Sequence, residues 1–181
     1  MSGPINYSVI IRGPLGVGKS TVSEALARAI GGRHIPIDRI LEANGIEEWD
    51  ADRISLASFL KANGIAVEEA RPAYRLGIPA IFDGCFYWRE QLDDLRKRVG
   101  DCYVFTLKAP LNVCVERDRT RPLPRPETGP RGGDQQGRLA AEAVFRLVSE
   151  VQQGIPIDAT GEVAQTVSSI IRHLPSSGSS D

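Results

Sequence analysis

Four apolar runs recur along the chain, each followed by a longer stretch whose apolar residues return at helical spacing. They are "YSVIIRG", "GIPAIFDG", "DCYVFTLKA" and "GIPIDAT", and "GGRHIPID" adds a shorter fifth that ends at Asp38. Runs of this length, rich in β-branched or aromatic residues and bounded by turn formers, read as strands; near-continuous apolarity reads as burial on both faces. Between them, "STVSEALARAI" places Val22, Leu26, Ala29 and Ile30 on one helical face, and "WREQLDDLRKRV" is amphipathic. "PLNVCVERDRT" opens on a proline suited to the first helical position, while Arg138 to Val151 and "EVAQTVSSIIRHL" supply two more helices. The segment 39–77 reads as two helical pieces, "DRISLASFLKA" and "AVEEARPAYRL", parted at Asn63-Gly64, with Pro72 kinking or shortening the second.

Five strands alternating with helices predict an α/β fold: a parallel sheet with right-handed crossovers, covered by helices on both faces in three layers. Residues 39–77 then form a helical cap inserted after the second strand. "RPLPRPETGPRGGDQQG" is too rich in proline and glycine for either element, so 117–138 is expected to be a mobile lid. Residues 1–174 are expected to make one domain, and the polar "PSSGSSD" leaves 175–181 as a tail without fixed structure. Ligands of such sheets gather at the carboxyl ends of the strands.

The first run is followed by "RGPLGVGKST", which contains G-x-x-x-x-G-K-[ST] from Gly13 to Ser20. Chemically, Gly13, Gly16 and Gly18 let successive backbone N–H groups curl around one anion, with Pro14, Leu15 and Val17 completing the loop. Lys19 neutralises outer phosphates, and the Ser20 hydroxyl, next to Thr21 at the start of a helix, can ligate Mg²⁺ where the helix dipole favours negative charge. Strand, loop and helix occur in the order the chemistry needs. The chain has four lysines, so the one in this loop stands out.

Composition narrows the picture. With 181 residues and a formal charge of −1, the chain is long enough for one sizeable core and has no global charge drawing it to nucleic acid or an anionic membrane. A small-molecule partner is favoured. Three cysteines without C-x-x-C spacing, and no apolar run approaching a membrane span, lead us to expect buried thiols in a soluble, cytoplasmic protein.

These features together resemble the small-molecule kinase branch of P-loop proteins, which includes nucleoside monophosphate kinases, shikimate kinase and chloramphenicol phosphotransferase. The last is most similar in layout: "PIDRILEA" follows the first crossover, "PAIFDG" occupies the acidic third-strand end, and "IDAT" precedes the last helix. The likeness runs from about Tyr7 to Leu174. It implies a three-layer P-loop NTPase fold, ATP with Mg²⁺ as donor, and a hydroxylated small molecule as acceptor. It also implies that Arg117 lies over the adenine and Arg121 reaches the phosphates. "DGCF" departs from the pattern, with one glycine where shikimate kinases have a run and one acid where chloramphenicol phosphotransferase has two.

Other candidates carry alternatives. Asp38 is either an acid that takes or orients the acceptor proton or a helix N-cap. Asp83 either holds Mg²⁺ through water or forms an Asp-Gly turn. Phe86, Tyr87 and Trp88 line an acceptor pocket with Arg89 and Trp49 nearby, or pack the core. Six of the eighteen arginines, including Arg119, Arg125, Arg131 and Arg138, fall in the lid segment. His34 and His173 have no metal-ligand partner at useful spacing and receive no role. The main competing function is an acceptor-independent ATPase; a nucleic-acid end kinase is the third.

Overall fold

Val9, Ile10 and Ile11 have no exposed surface, and this requires their strand to be covered on both sides. In the computed structural model, which describes residues 7–51, 53–120 and 135–175, that strand is the centre of the sheet. The strands are β1 (Ser8–Arg12), β2 (Arg33–Pro36), β5 (Ala80–Gly84), β6 (Cys102–Lys108) and β7 (Ile155–Asp158). They run parallel in the order β2-β5-β1-β6-β7. A two-stranded antiparallel hairpin, β3 (Trp49–Asp50) and β4 (Arg53–Ile54), stands apart from them. The helices are α1 (Lys19–Ile30), α2 (Ile37–Ala43), α3 (Leu56–Arg75), α4 (Arg89–Val99), α5 (Leu111–Arg119), α6 (Gln135–Glu150) and α7 (Val163–Ile171). The expected α/β fold with a five-stranded parallel sheet is observed.

Strand alternation divides the core in two. Ile10, Ile35 and Phe82 face α2, α3, α4 and α6, where Leu41, Phe59, Leu92, Leu95 and Val148 meet them. Val9, Ile11, Ile81 and Phe105 point the other way, toward Val22 and Leu26 of α1, Cys114 of α5 and Ile170 of α7. On α1 the buried face is Val22, Ser23, Leu26 and Ala27; of the expected stripe of Val22, Leu26, Ala29 and Ile30, Ala29 is exposed and Ile30 half-buried.

The cap segment differs most from expectation. Instead of breaking at Asn63-Gly64, α3 is one continuous helix, because Asn63 is buried against α4. Its Nδ2 donates to the Gln91 carbonyl and to Asp94 Oδ2, both at 2.9 Å. Tertiary contacts on this face, where Ala62, Ala66 and Ala70 are fully buried, override the local turn tendency. Pro72 lies within the last turn and α3 still reaches Arg75, since so late a proline forfeits one hydrogen bond. The hairpin was not anticipated either. Its two short strands are held from below: Tyr87 OH accepts from Ile54 N–H at 3.0 Å, and Trp88 Nε1 donates to the Ile54 carbonyl at 3.0 Å. Among the described residues no helix is long and apolar enough to cross a membrane.

Arg12, the last residue of β1, is wholly buried. Its Nη1 donates to Thr106 Oγ1 (3.1 Å) and the Val151 carbonyl (2.6 Å), and its Nη2 to the carbonyls of Phe86 (3.2 Å) and Val148 (3.0 Å). Every one of these partners is neutral. Burial pulls the guanidinium down to about 10, opposed by nearby Cys85, and leaves it charged at neutral pH. We expect Arg12→Met to lower unfolding free energy by about 3 kcal/mol or more, because it strands carbonyls in a dry site and removes charge-assisted bonds. Urea unfolding measures this, and an unchanged midpoint would contradict it.

Candidate active site

The chain between β1 and α1 folds as an anion cradle. Gly16 and Gly18 take φ of 73° and 99°, and Gly18 is the left-handed N-cap of α1, with no side chain occupying the helix's first N–H groups. Gly16 is required for a second reason: a Cβ there would overlap the Cys114 carbonyl oxygen on α5. Val17 anchors the loop from inside, 1% exposed in the core beside α1. Lys19 is the first residue of α1, also buried, and its Nζ donates to the Pro14 carbonyl at 2.9 Å, so the ammonium already curls back over the loop. Ser20 follows in the first turn, partly exposed, and Thr21 is exposed.

Both candidate acids lie at this end of the sheet, in different settings. Asp83 is in β5, opposite Ile11 of β1 and Pro36 of β2, and is 2% exposed. His34 Nε2 stands 3.1 Å from its Oδ1, so the histidine that received no role pairs with a candidate site residue. Asp38 does not end a strand: β2 stops at Pro36 and Asp38 falls in the first turn of α2. It is not the N-cap either, because Pro36 holds that position with no side-chain cap bond. A short helix begins directly off the strand here, and Asp38 is exposed where the dipole favours its charge.

Cys85 follows the end of β5 and is buried, 5% exposed. Burial pushes its thiol from near 9.0 up to about 11; Lys19 opposes this, while Asp38 and Asp83 add to it. Phe86, next in the chain, has φ 48°, an unusual value for a large residue, and Arg12 holds its carbonyl. The turn delivers Tyr87 and Trp88 toward the hairpin.

Phe86 and Tyr87 are core residues, Trp88 is half-buried, Arg89 is exposed at the start of α4, and Trp49 is exposed on the hairpin. Tyr87 meets Phe59 edge to face at 5.4 Å. Burial raises the Tyr87 phenol well above its ordinary range, with Cys85 next in effect and Asp38 and Arg53 also acting on it. The Arg53 guanidinium lies 4.7 Å from the Trp88 ring centroid. Sequence reading passed over Arg53, since nothing local signals a two-residue strand.

The lid expectation is divided. Arg117 and Arg119 belong to α5 and Arg138 to α6, so helix extends into both ends of the segment. Arg121, Arg125 and Arg131 lie outside the described residues. Arg117 donates from Nη1 to the Ala159 carbonyl (2.6 Å) and from Nη2 to the Thr160 carbonyl (2.9 Å), joining α5 to the loop after β7. At the other end of the sheet, beside the start of β6, a surface depression of about 510 Å³ is lined by Asp93, Arg96, Lys97, Gly100, Asp101 and Cys102, and none of the candidate residues reaches it.

Residues 9–142, well over half of the chain, match the family model described as an AAA domain. The chain belongs to that family. No curated protein matches it. Among solved structures, this AAA-domain chain is similar to a gluconokinase from Sinorhizobium meliloti 1021, at 20% identity with TM-score 0.66, covering 92% of this chain and 90% of that one. It is also similar to a sugar kinase from Janibacter sp. HTCC2649 at 16% identity (TM-score 0.69; 93% and 94% covered). A third is shikimate kinase from Aquifex aeolicus vf5, also at 16% (TM-score 0.58; 91% and 94%). At these identities the likeness is one of fold, and it bears out the resemblance to P-loop small-molecule kinases.

The Cys85 environment predicts a pH effect on stability of this AAA-domain protein. Its folded value lies above its unfolded one, so the unfolded chain releases the proton first. Stability from this thiol is therefore full below about pH 9 and lost as pH rises toward about 11, by at most about 3 kcal/mol. Urea unfolding at pH 8 and pH 10.5 should show a smaller alkaline loss for Cys85→Ala than for wild type; equal losses would contradict the assignment.

Proposed function

We propose that the protein is an ATP-dependent phosphotransferase that moves the γ-phosphoryl group to a hydroxyl of a small molecule. The observation that carries this is the loop between β1 and α1, with Gly18 as an open left-handed N-cap and Lys19 Nζ folded back on the Pro14 carbonyl, together with Asp83 opposite Ile11 on the neighbouring strand and Asp38 in the first turn of α2. Phosphoryl transfer asks for positioned charge rather than covalent help from the protein, and these groups supply both signs of charge at one strand end.

In this reading the backbone N–H groups of Gly16, Val17, Gly18 and Lys19 hold the β-phosphate, and Lys19 leaves the Pro14 carbonyl to neutralise the outer phosphates. The donor set suits Mg²⁺: a serine hydroxyl, Ser20, and one buried carboxylate, Asp83, are hard oxygen ligands. Among the described residues there is no cluster of three or more His, Cys, Asp or Glu able to hold a metal, as fits a cation held mainly by phosphates and water. Mg²⁺ supplies charge neutralisation when bound, and Ser20 and Asp83 are the residues that hold it.

The acceptor side is Asp38 with the hairpin and its aromatic support. Asp38 orients the acceptor hydroxyl and takes its proton as the acceptor oxygen bonds to the γ-phosphorus and the bond to the β–γ bridging oxygen breaks, releasing ADP. Segment 39–77 acts as the cap, with Trp88 and Arg53 facing the acceptor. Segment 117–138 acts as the lid, with Arg117 beside the adenine and Arg121 at the phosphates.

Two variants test the roles. Lys19→Ala should keep its melting temperature and lose turnover by about 100-fold or more; normal turnover in a folded variant would remove the loop from the mechanism. Asp38→Asn should bind Mg·ATP normally and lose turnover by about 100-fold, since an amide keeps the shape but takes no proton. The deciding assay for the reaction is ADP release across a panel of sugars, alcohols, nucleosides and antibiotics. Release that depends on an added acceptor supports phosphotransfer, and hydrolysis indifferent to every acceptor would replace it with an ATPase.

A further inference from the structure

We infer that His34 is a positioning residue for the divalent cation, holding the Asp83 carboxylate in one orientation toward the phosphate loop; this rests on the reading of Asp83 given above. The two residues are 49 positions apart and meet only because β2 pairs with β5. In that pairing His34 is opposite Ile81 and Pro36 opposite Asp83, so the imidazole leans along the strand toward the carboxyl end. Ile35 faces the α2–α4 side, which puts His34 on the α1 side; Phe82 likewise puts Asp83 there. Both side chains thus lie on the face from which α1 presents Lys19 and Ser20.

The contact is close and enclosed. Nε2 is 3.1 Å from Oδ1, with side-chain exposures of 14% and 3%. An ionised carboxylate only accepts hydrogen bonds, so the imidazole donates through Nε2–H. That bond occupies one carboxylate oxygen and leaves the other with full acceptor capacity. It also stops the carboxylate turning about its last bond, a torsion with broad, weak preferences of its own. The geometric demands of Mg²⁺ make such turning costly, and partners that fix a metal-holding carboxylate typically contribute 10- to 100-fold to metal affinity. A plain core histidine has no need of a strand-end acid beside a phosphate loop.

The test measures cation binding directly. Mn²⁺ is titrated calorimetrically into protein saturated with a non-hydrolysable ATP analogue, and analogue affinity is measured separately in EDTA. His34→Leu should weaken Mn²⁺ by about 10-fold or more while leaving EDTA affinity as in wild type. His34→Gln, whose amide places an N–H near the Nε2 position, should recover most of the loss. If His34→Leu does not fold, His34→Asn serves instead, because its shorter amide stops near the Nδ1 position. Wild-type Mn²⁺ affinity in a folded His34→Leu or His34→Asn variant would overturn the inference while leaving the phosphotransferase reading intact. Equal losses in Mn²⁺ and EDTA would overturn it in favour of a purely structural role. Wild type that fails to bind the analogue under either condition would overturn both.

Discussion

A bare positive charge is walled into the centre of this protein, and the site is arranged around it. Arg12 ends the strand that leads into the phosphate loop, and both its Nη atoms donate to carbonyls and a hydroxyl from three separated parts of the chain, while its buried Nε has no partner. Two of those carbonyls, Val148 and Val151, belong to the last turn of α6 and the residue beyond it, where helix carbonyls lack partners and the dipole is negative. A third belongs to Phe86, whose left-handed backbone is costly unless held. One side chain therefore fixes the exit of β1, the end of α6 and the turn that sends Tyr87 and Trp88 to the hairpin. Lysine could not replace it, because a single ammonium has neither the fork nor the five donors.

Charge at the sheet's carboxyl end is kept apart by the strand alternation. Asp83 and His34 lie on the α1 face with the phosphate loop, while Phe86 and Tyr87 join the opposite face with α2, α3 and α4. Cys85 packs on that second face with Phe86 and Tyr87, and burial keeps its thiol neutral. A charged residue at that position would add to one side of the balance and be paid for in desolvation. A thiol fills the space and leaves the lysine to answer to phosphate.

The fold was legible because its signals are local. Buried parallel strands carry uninterrupted apolar runs, and the loop needs glycines at fixed offsets before Lys19. What the sequence hid is what depends on pairing across distance. Asn63-Gly64 has the composition of a turn, and only the contact with Gln91 and Asp94 makes it helix. The hairpin exists because Tyr87 and Trp88 supply partners for Ile54, and no window around residues 49–54 contains that information. His34 lacked a metal-ligand neighbour in sequence; its partner lies on the next strand. Asp38 was misplaced by two residues, since Pro36 ends β2 and begins α2 without a linker, and a strand running straight into a helix leaves no turn residue to read.

The same division explains how donor and acceptor can be kept distinct on the proposed reading. The donor's cradle is covalently continuous, β1 through α1, and approaches α5 so closely at Gly16 that no side chain fits there. Its shape is set before anything binds, as preorganised charge stabilisation requires. The acceptor side is assembled from α2, a two-residue-wide hairpin and an aromatic turn; Tyr87 and Trp88 bond to Ile54, and Glu48 bonds to Ser55, Ser58 and Lys61. The hairpin's own strands pair over two residue pairs, and short segments of this kind open at low cost. Specificity for the acceptor then resides in the less rigid half, where Arg53 and Trp88 can change without disturbing the phosphate loop.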